Sequence, residues 1–298
     1  SFSSLDIVSL LHLKRMAGDD VYYSSKGHDA PGLYAFLIAT GRMPFDKIHA
    51  LRRFGGLPGH PDVGVEGMVV NSGSLGMGIS KAKGMVRADR LSGRKRTIYV
   101  LTGDGELQEG QIWESLVSAA NDKLGEIVAI VDHNKLQSDH LVAKTSDLGD
   151  LEAKFAAFGW AVGRADGHDI AALDAEFERL SKSPLPKILI ADTVKGRGIS
   201  FMEHTAMESD AALYRFHSGA PDADSYRRGA QELLDRINTE LSALGAASLE
   251  VETFEQPAAA AAGEVQRLIP AYSQALLKAA DANDKIVALD ADLILDTG

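Results

Sequence analysis

The chain contains no cysteine. That removes disulfides, thiolate catalysis and zinc–thiolate sites in one step, and it fits a cytoplasmic setting. Long apolar runs are missing as well. A run such as "IVAIV" at 127–131 is strand-sized, far short of the roughly 20 residues of a membrane-spanning helix. No secretory signal opens the sequence, which starts at Ser1 without a methionine, so an absent amino-terminal segment is allowed for. Basic excess is also lacking: 31 Lys and Arg face 42 Asp and Glu, for a net charge of -11 and a pI near 5.3. A general affinity for nucleic acid or for an anionic membrane is therefore disfavoured. An anionic ligand would need a local site where a metal or backbone amides supply the positive field.

What is present is an ordinary globular composition, 45% hydrophobic and 24% charged over 298 residues, long enough for one large domain and part of another. Residues 97–102, "TIYVLT", read as a buried strand with a glycine turn behind it. Residues 111–122 carry Ile112, Leu116, Val117 and Ala120 at helical spacing, and 126–131 is the next strand. The alternation continues with a helix near 148–158, a strand near 160–165, a helix near 169–181 and a strand at 187–193. Such alternation predicts an α/β fold, a doubly wound and mostly parallel sheet with helices on both faces. Upstream, 3–16 and 30–40 read as helices and the glycine-dense segment 71–87 as a turn entering a helix. Downstream, 224–244 reads as a long surface helix, "EQPAAAAAGE" at 255–264 as a linker, and 271–293 as a helix and strand opening a second α/β domain.

Two polar clusters stand out, Gly103-Asp104-Gly105 and His133-Asn134-Lys135, each at the end of an apolar run. A helix of about 12 residues spans roughly 18 Å and a six-residue strand roughly 20 Å, so a strand–helix–strand unit returns the chain beside its start. Asp104 and Asn134 should then sit side by side at the carboxyl ends of neighbouring parallel strands, the edge where open α/β sheets bind ligands. One carboxylate, one amide oxygen and a backbone carbonyl near Leu136 form a hard oxygen site suited to Mg²⁺ completed by water and phosphate oxygens. The glycines admit close backbone approach, and the amides opening the next helix favour an anion. A metal-bridged diphosphate follows. Gly-Asp-Gly alone is a common turn; the correctly spaced Asn is what gives it weight.

At these residues the chain resembles the thiamine diphosphate-dependent transketolase family, most closely in "GDGELQEGQIWE" at 103–114. Further matches follow in the same order: "SKGHDAPGLYAFL" at 25–37, "LPGHPD" at 57–62, "GSLGMGIS" at 73–80, "GDLEAKFAAFGWAV" at 149–162, "DGHD" at 166–169, "DTVKGRGISFME" at 192–203 and "FHSGAPD" at 216–222. The resemblance implies the thiamine diphosphate-binding fold, with Asp104, Asn134 and the Leu136 carbonyl holding Mg²⁺ (Ca²⁺ or Mn²⁺ as alternatives). It implies Gly103 and Gly105 at the diphosphate, Ser74 and Leu75 at the aminopyrimidine, and Glu109 as a buried acid coupling two active sites of a dimer. His28, His60 and His217 match positions around the cofactor and donor sugar, where imidazoles can bond ketose hydroxyls and move protons near neutral pH. Asp292 matches an acid near the substrate chain. His12, His49, His133, His140 and His204 read as structural, and His168 as serving a loop or the helix start that follows it.

The implied activity is transfer of a two-carbon ketol unit from a ketose, by default phosphorylated, to an aldose. The expected organisation is a diphosphate- and metal-binding domain over 1–222, a helix and linker over 223–267, and the start of a pyrimidine-binding domain over 268–298. In the family the glutamate that activates the aminopyrimidine belongs to that second domain, so this piece alone is expected to be inactive, and a homodimer or a hetero-assembly with a pyrimidine-domain subunit is expected. Two alternatives stay open at this point: a thiamine diphosphate-dependent 2-oxo acid dehydrogenase component, and a cofactor-binding subunit without activity of its own.

Overall fold

The computed structural model describes residues 1–209, 212–217, 221–251 and 268–289. These form two compact units, the first comprising Ser1–Gln137, Leu141–Arg197 and Glu203–Thr205, the second Ser138–His140, Gly198–Met202 and the described residues from Ala206 onward.

The first unit is built on five strands: β1 (Val21–Ser24), β2 (Ile98–Gly103), β3 (Ile127–His133), β4 (Ala161–Asp166) and β5 (Lys187–Asp192). Their spatial order is β1-β2-β3-β5-β4, and every pairing is parallel. Helices that cover the sheet are α1 (Leu5–Leu10), α2 (Ala30–Ala39), α3 (Gly78–Leu91), α4 (Gly110–Asn121), α5 (Leu151–Ala157) and α6 (Ile170–Ser181), beside a single turn at Val142–Thr145. Side chains alternate across a strand, and here both sets are buried. Ile127, Ala129 and Val131 of β3 pack with Ile79 of α3, Leu116 of α4 and Phe155 of α5. Val128 and Ile130 pack on the other face with Ile7 of α1, Leu33 of α2 and Phe177 of α6. That is why β3 reads as an unbroken apolar run, as strands buried on both faces do. The expected doubly wound parallel sheet is borne out.

Helix starts follow local chemistry. Asp150 accepts the Ala153 amide at the start of α5, and Asp169 accepts the Ala171 and Ala172 amides at the start of α6, each satisfying amides left open by the first turn. Strand β1 is not expected from the sequence; only four residues long, its Val21-Tyr22-Tyr23 run is the one signal it offers. The amino-terminal helix predicted over 3–16 is divided, α1 passing into a π-helical turn at Leu11–Arg15. In α4 the buried face is Ile112, Ser115, Leu116 and Ala119, whereas Val117 is 46% exposed. Val117 lies five residues beyond Ile112, a rotation of about 140° that carries it off the core-facing stripe.

In the second unit, α7 (Ala223–Ala243) lays Gly229 against Ile199 and Phe201, and Glu232 accepts from the Ser200 amide and hydroxyl. Helix α8 (Leu268–Ala282) agrees with the helix expected from 271. The strand expected after it is not formed through residue 289, and the linker at 255–264 and Asp292 lie outside the described residues. Among the described residues no helix is long and apolar enough to cross a membrane.

The two neighbouring positions in α4 provide a test of the packing. Leu116→Ala, which empties a fully buried site, should lower stability by about 2–5 kcal/mol. Val117→Ala should stay within about 0.5 kcal/mol. Urea unfolding midpoints of the two variants check the contrast; equal losses would contradict the assigned face.

Candidate active site

Parallel register places Gly103, the last residue of β2, beside Asp132 of β3. Asp104 and Asn134 therefore emerge from adjacent strands at the carboxyl edge of the sheet, as expected from their spacing. Asp104 is 1% exposed; one carboxylate oxygen accepts the Gly105 amide at 2.8 Å and the other accepts the Lys135 amide. Asn134 is buried, with its amide oxygen accepting from the Leu136 amide at 3.1 Å and its nitrogen reaching Asp132 at 3.4 Å. Lys135 is held at a φ of 68°, a left-handed conformation that turns its amide toward Asp104. Gly105 packs so closely that a Cβ there would lie 2.6 Å from Cβ of Gln137. Only glycine allows the two turns to meet this tightly.

Beneath these turns lies a cluster that sequence reasoning does not identify. Lys26 is buried and paired with the fully buried Asp132 at 2.5 Å. Asp132 also accepts from the hydroxyls of Ser3, at 2.7 Å, and Thr193. Asp29, likewise buried, accepts from Ser24 at 2.6 Å. Glu106 is buried and accepts from the Ser25 hydroxyl and from the amides of Gly76, at 2.8 Å, and Gly103, at 3.1 Å. One buried ammonium thus serves four buried acids, Asp29, Asp104, Glu106 and Asp132. Burial alone would lower the Lys26 ammonium, but Asp132 and Asp29 overcome it and raise it to about 12. Burial likewise opposes ionisation of Asp132, and the Lys26 charge reverses this, holding the carboxyl well below the usual range. Asp104 lacks such a partner: burial first, and the Asp132 charge second, raise it from 3.8 to about 6. Burial also pushes Glu106 up, against the hydrogen bonds it accepts. A signal for this cluster is present in the sequence, since a charged residue within the run "IVAIVDHN" must find a buried partner.

These donors fit a divalent cation. Asp104 is a buried carboxylate that hydrogen-bonds to no cationic side chain among the described residues, and the surrounding acids leave an excess of negative charge. No group of three His, Cys, Asp or Glu side chains is placed to hold a metal among the described residues. A set of one carboxylate, one amide and one carbonyl is compatible with that finding and suits a hard oxygen-seeking ion.

A profile of the family described as "Transketolase, thiamine diphosphate binding domain" matches residues 14–215. The chain belongs to the transketolase family. It is 36% identical over 247 residues to an apulose-4-phosphate transketolase subunit of Actinobacillus succinogenes, covering 78% of this chain and 86% of that protein. It is 36% identical over 215 residues to a 6-deoxy-6-sulfo-D-fructose transketolase subunit of a Clostridium species, covering 68% and 78%. Human transketolase is 32% identical over 287 residues, with 92% of this chain but 44% of the human protein covered. Among solved structures, transketolase from Campylobacter jejuni superposes with a TM-score of 0.63 at 22% identity, covering 81% of this chain and 46% of that one, which shows the shared fold. The chain spans less than half the length of the full transketolases it matches.

The other residues expected in a transketolase site fall as follows. Three loops converge above the sheet edge. A Cβ on Gly27 would meet Ser72 at 2.6 Å, Ser72 bonds to the Pro61 carbonyl through both its amide and its hydroxyl, and the His60 ring lies 3.6 Å from where a Cβ on Gly73 would be. His28, His60, Ser74 and Leu75 are thereby gathered on exposed turns of one surface. His217 belongs to the second unit, where it is half-buried beside Phe216, itself packed on Phe201 and Tyr214. Glu109 is exposed on this chain and precedes α4 without a side-chain cap bond; the buried acid of the motif, in the chain by itself, is Glu106. His168 bonds Asp6 through one ring nitrogen, at 2.7 Å, and accepts the Val194 amide on the other, at 2.9 Å. It serves a loop, as expected, while the helix start after it is capped by Asp169. His133 pairs with Asp192 at 2.8 Å and keeps its structural reading.

A cleft of about 750 Å³ lies at the opposite, amino-terminal edge of the sheet, floored by Tyr99, Val128 and Phe177. Its guanidinium groups are already committed, Arg15 to Asp174, Arg90 to Glu126 and Arg96 to Asp89.

The raised Asp104 makes a pH test available. The folded protein without ligands holds this proton more tightly than the unfolded chain, in which an Asp titrates near 3.8. Stability from this site is therefore present at low pH and is lost as pH rises through about 6. Relative to Asp104→Ala, ligand-free wild type should lose on the order of 3 kcal/mol between pH 4 and pH 7.5. Denaturant titrations of both proteins across that range check it; a constant difference would contradict the burial of an unpaired carboxylate.

Proposed function

We propose that this chain is the diphosphate- and metal-binding half of an enzyme that transfers a two-carbon ketol unit from a ketose, probed first as sugar phosphates, to an aldose. The observation that carries the reading is the pair Asp104 and Asn134, buried on adjacent strand ends above an excess of buried carboxylates. In this reading Asp104, the Asn134 amide oxygen and the Leu136 carbonyl would hold Mg²⁺, with the Gly103–Gly105 turn against the diphosphate. Thiamine diphosphate supplies the electron sink that lets the carbon–carbon bond beside the ketose carbonyl break. The chain's own groups position and handle protons. His28 and His60, exposed on the converged loops, would bond donor hydroxyls and exchange protons with them. His217 and Asp292 are proposed for the same donor sugar, and Ser74 and Leu75 for the aminopyrimidine.

The pyrimidine-binding half completes the site in this proposal, with Glu109 facing it across the interface. Relatives from three bacteria are each named as one subunit of a transketolase, which supports an assembly of unlike subunits over a homodimer. Residues 268–298 are proposed as the start of pyrimidine-domain sequence, and a cytoplasmic location is proposed from the absence of cysteine. Membership of the transketolase family sets aside the 2-oxo acid dehydrogenase alternative.

The assembled protein, saturated with thiamine diphosphate and Mg²⁺, should transfer a ketol unit from at least one of a panel of ketose phosphates to an aldose phosphate. No transfer from any donor would overturn the proposal. Calorimetry should show Mg²⁺-dependent cofactor binding that Asp104→Ala abolishes, and unchanged affinity in the variant would contradict the assigned ligand.

A further inference from the structure

Glu106 has no role in the site as assigned above, yet it is among the most buried acids of the chain, 3% exposed. Its two oxygens face different parts of the molecule. Oε1 accepts from the Gly76 amide at 2.8 Å and from the Ser25 hydroxyl, and Oε2 accepts from the Gly103 amide at 3.1 Å. The Ser25 oxygen in turn accepts from the Gly78 amide at 3.0 Å. One carboxylate and one hydroxyl therefore tie together the loop after β1, the turn that opens α3 and the last residue of β2.

The turn at 73–78 depends on these bonds because it carries little side chain of its own. A Cβ on Gly76, where φ is 79°, would sit 2.8 Å from Cβ of Glu109, and one on Gly78 would sit 2.4 Å from the Ser25 side chain. The turn is pressed against its neighbours by glycine and fixed in place by Glu106. Glu106 itself lies one residue past the Gly103-Asp104-Gly105 turn, so the carboxylate that grips one turn is anchored in the other.

We propose that Glu106 is a positioning residue that sets the spacing between the two ends of the cofactor site, the Ser74–Leu75 turn and the Gly103–Gly105 turn. The proposal rests on the functional reading given above, in which the first turn meets the aminopyrimidine and the second the diphosphate. A ligand that occupies only the diphosphate end has no need of the spacing. The whole cofactor does.

The test uses the assembled enzyme and two ligands, thiamine diphosphate and inorganic pyrophosphate, both with Mg²⁺. Glu106→Gln keeps the size of the side chain but sets an amide NH₂ against a backbone N–H donor. It should raise the thiamine diphosphate concentration for half-maximal activity by about 10- to 100-fold, the scale of a lost buried hydrogen bond to a charged group. The inhibition constant of pyrophosphate, competing for the same site, should change by less than about threefold, a small effect on the same affinity scale. Ser25→Ala leaves the Gly103 bond intact and removes the hydroxyl from the Oε1 side. It should show the same split to a smaller degree, and it carries the test if Glu106→Gln fails to fold. Parallel weakening of both ligands, as general loosening would give, overturns the proposal, and so does no change in either. A wild-type enzyme indifferent to thiamine diphosphate overturns instead the functional reading beneath it, and this is visible before any variant is made.

Discussion

The site depends on a single buried ammonium. Lys26 sits among four buried carboxylates and pairs directly with the fully enclosed Asp132. Taking such charges out of water costs several kcal/mol for each ion, recovered only when geometry and hydrogen bonding are complete. Asp132 meets that condition by drawing donors from the amino-terminal segment through Ser3, from the loop after β1 through Lys26 and from the end of β5 through Thr193. Asn134, two residues on, is tied to the same carboxylate. The ion pair thus fixes several loops relative to the strand that leads to Asn134. Its charge is not enough for the whole cluster, and burial together with the Asp132 charge leaves the Asp104 carboxyl raised. A divalent cation at that position would supply the missing charge.

The sheet explains why the cluster lies where it does. Parallel strands all end at one edge, and helices on both faces leave that edge as the place where loops converge. Side-by-side strands β2 and β3 bring together residues thirty positions apart in the chain, and β1 and β5 add Lys26 and Thr193 from either side. Glycine then sets how closely the loops approach, since Gly105 leaves room for Gln137 and Gly78 for Ser25. Chemistry is concentrated in short turns, while nearly all of the apolar burial lies in the layers behind them.

Much of this is legible in the sequence because the signals are local. β2, β3 and β5 are short β-branched runs, and each falls within two residues of its expected range. Asp104 and Asn134 can be paired from spacing alone, because a strand–helix–strand unit has a fixed return length. Pairings across longer separations leave no such mark. Lys26 and Asp132 are 106 positions apart, and no periodicity links them. β1 escapes a reading by pattern because four residues are too few to carry one. Val117 looks like a core residue because adjacency to Leu116 resembles a shared face, while helical geometry turns neighbours apart by about 100°. Two acids three residues apart, Glu106 and Glu109, differ in burial for a reason only the turn reveals: the 3₁₀ segment Gly105–Gln108 points the first inward and releases the second at the start of α4.

Asp104, Asn134 and the Leu136 carbonyl are proposed as one cation site at this edge. A crystal structure of the assembled enzyme with Mg²⁺ and thiamine diphosphate tests it most directly. One Mg²⁺ is expected, with the Asp104 carboxylate, the Asn134 amide oxygen and the Leu136 carbonyl oxygen each about 2.0–2.1 Å away. A cofactor bound with its metal held by other residues, or with Asp104 and Asn134 left unengaged, would contradict it.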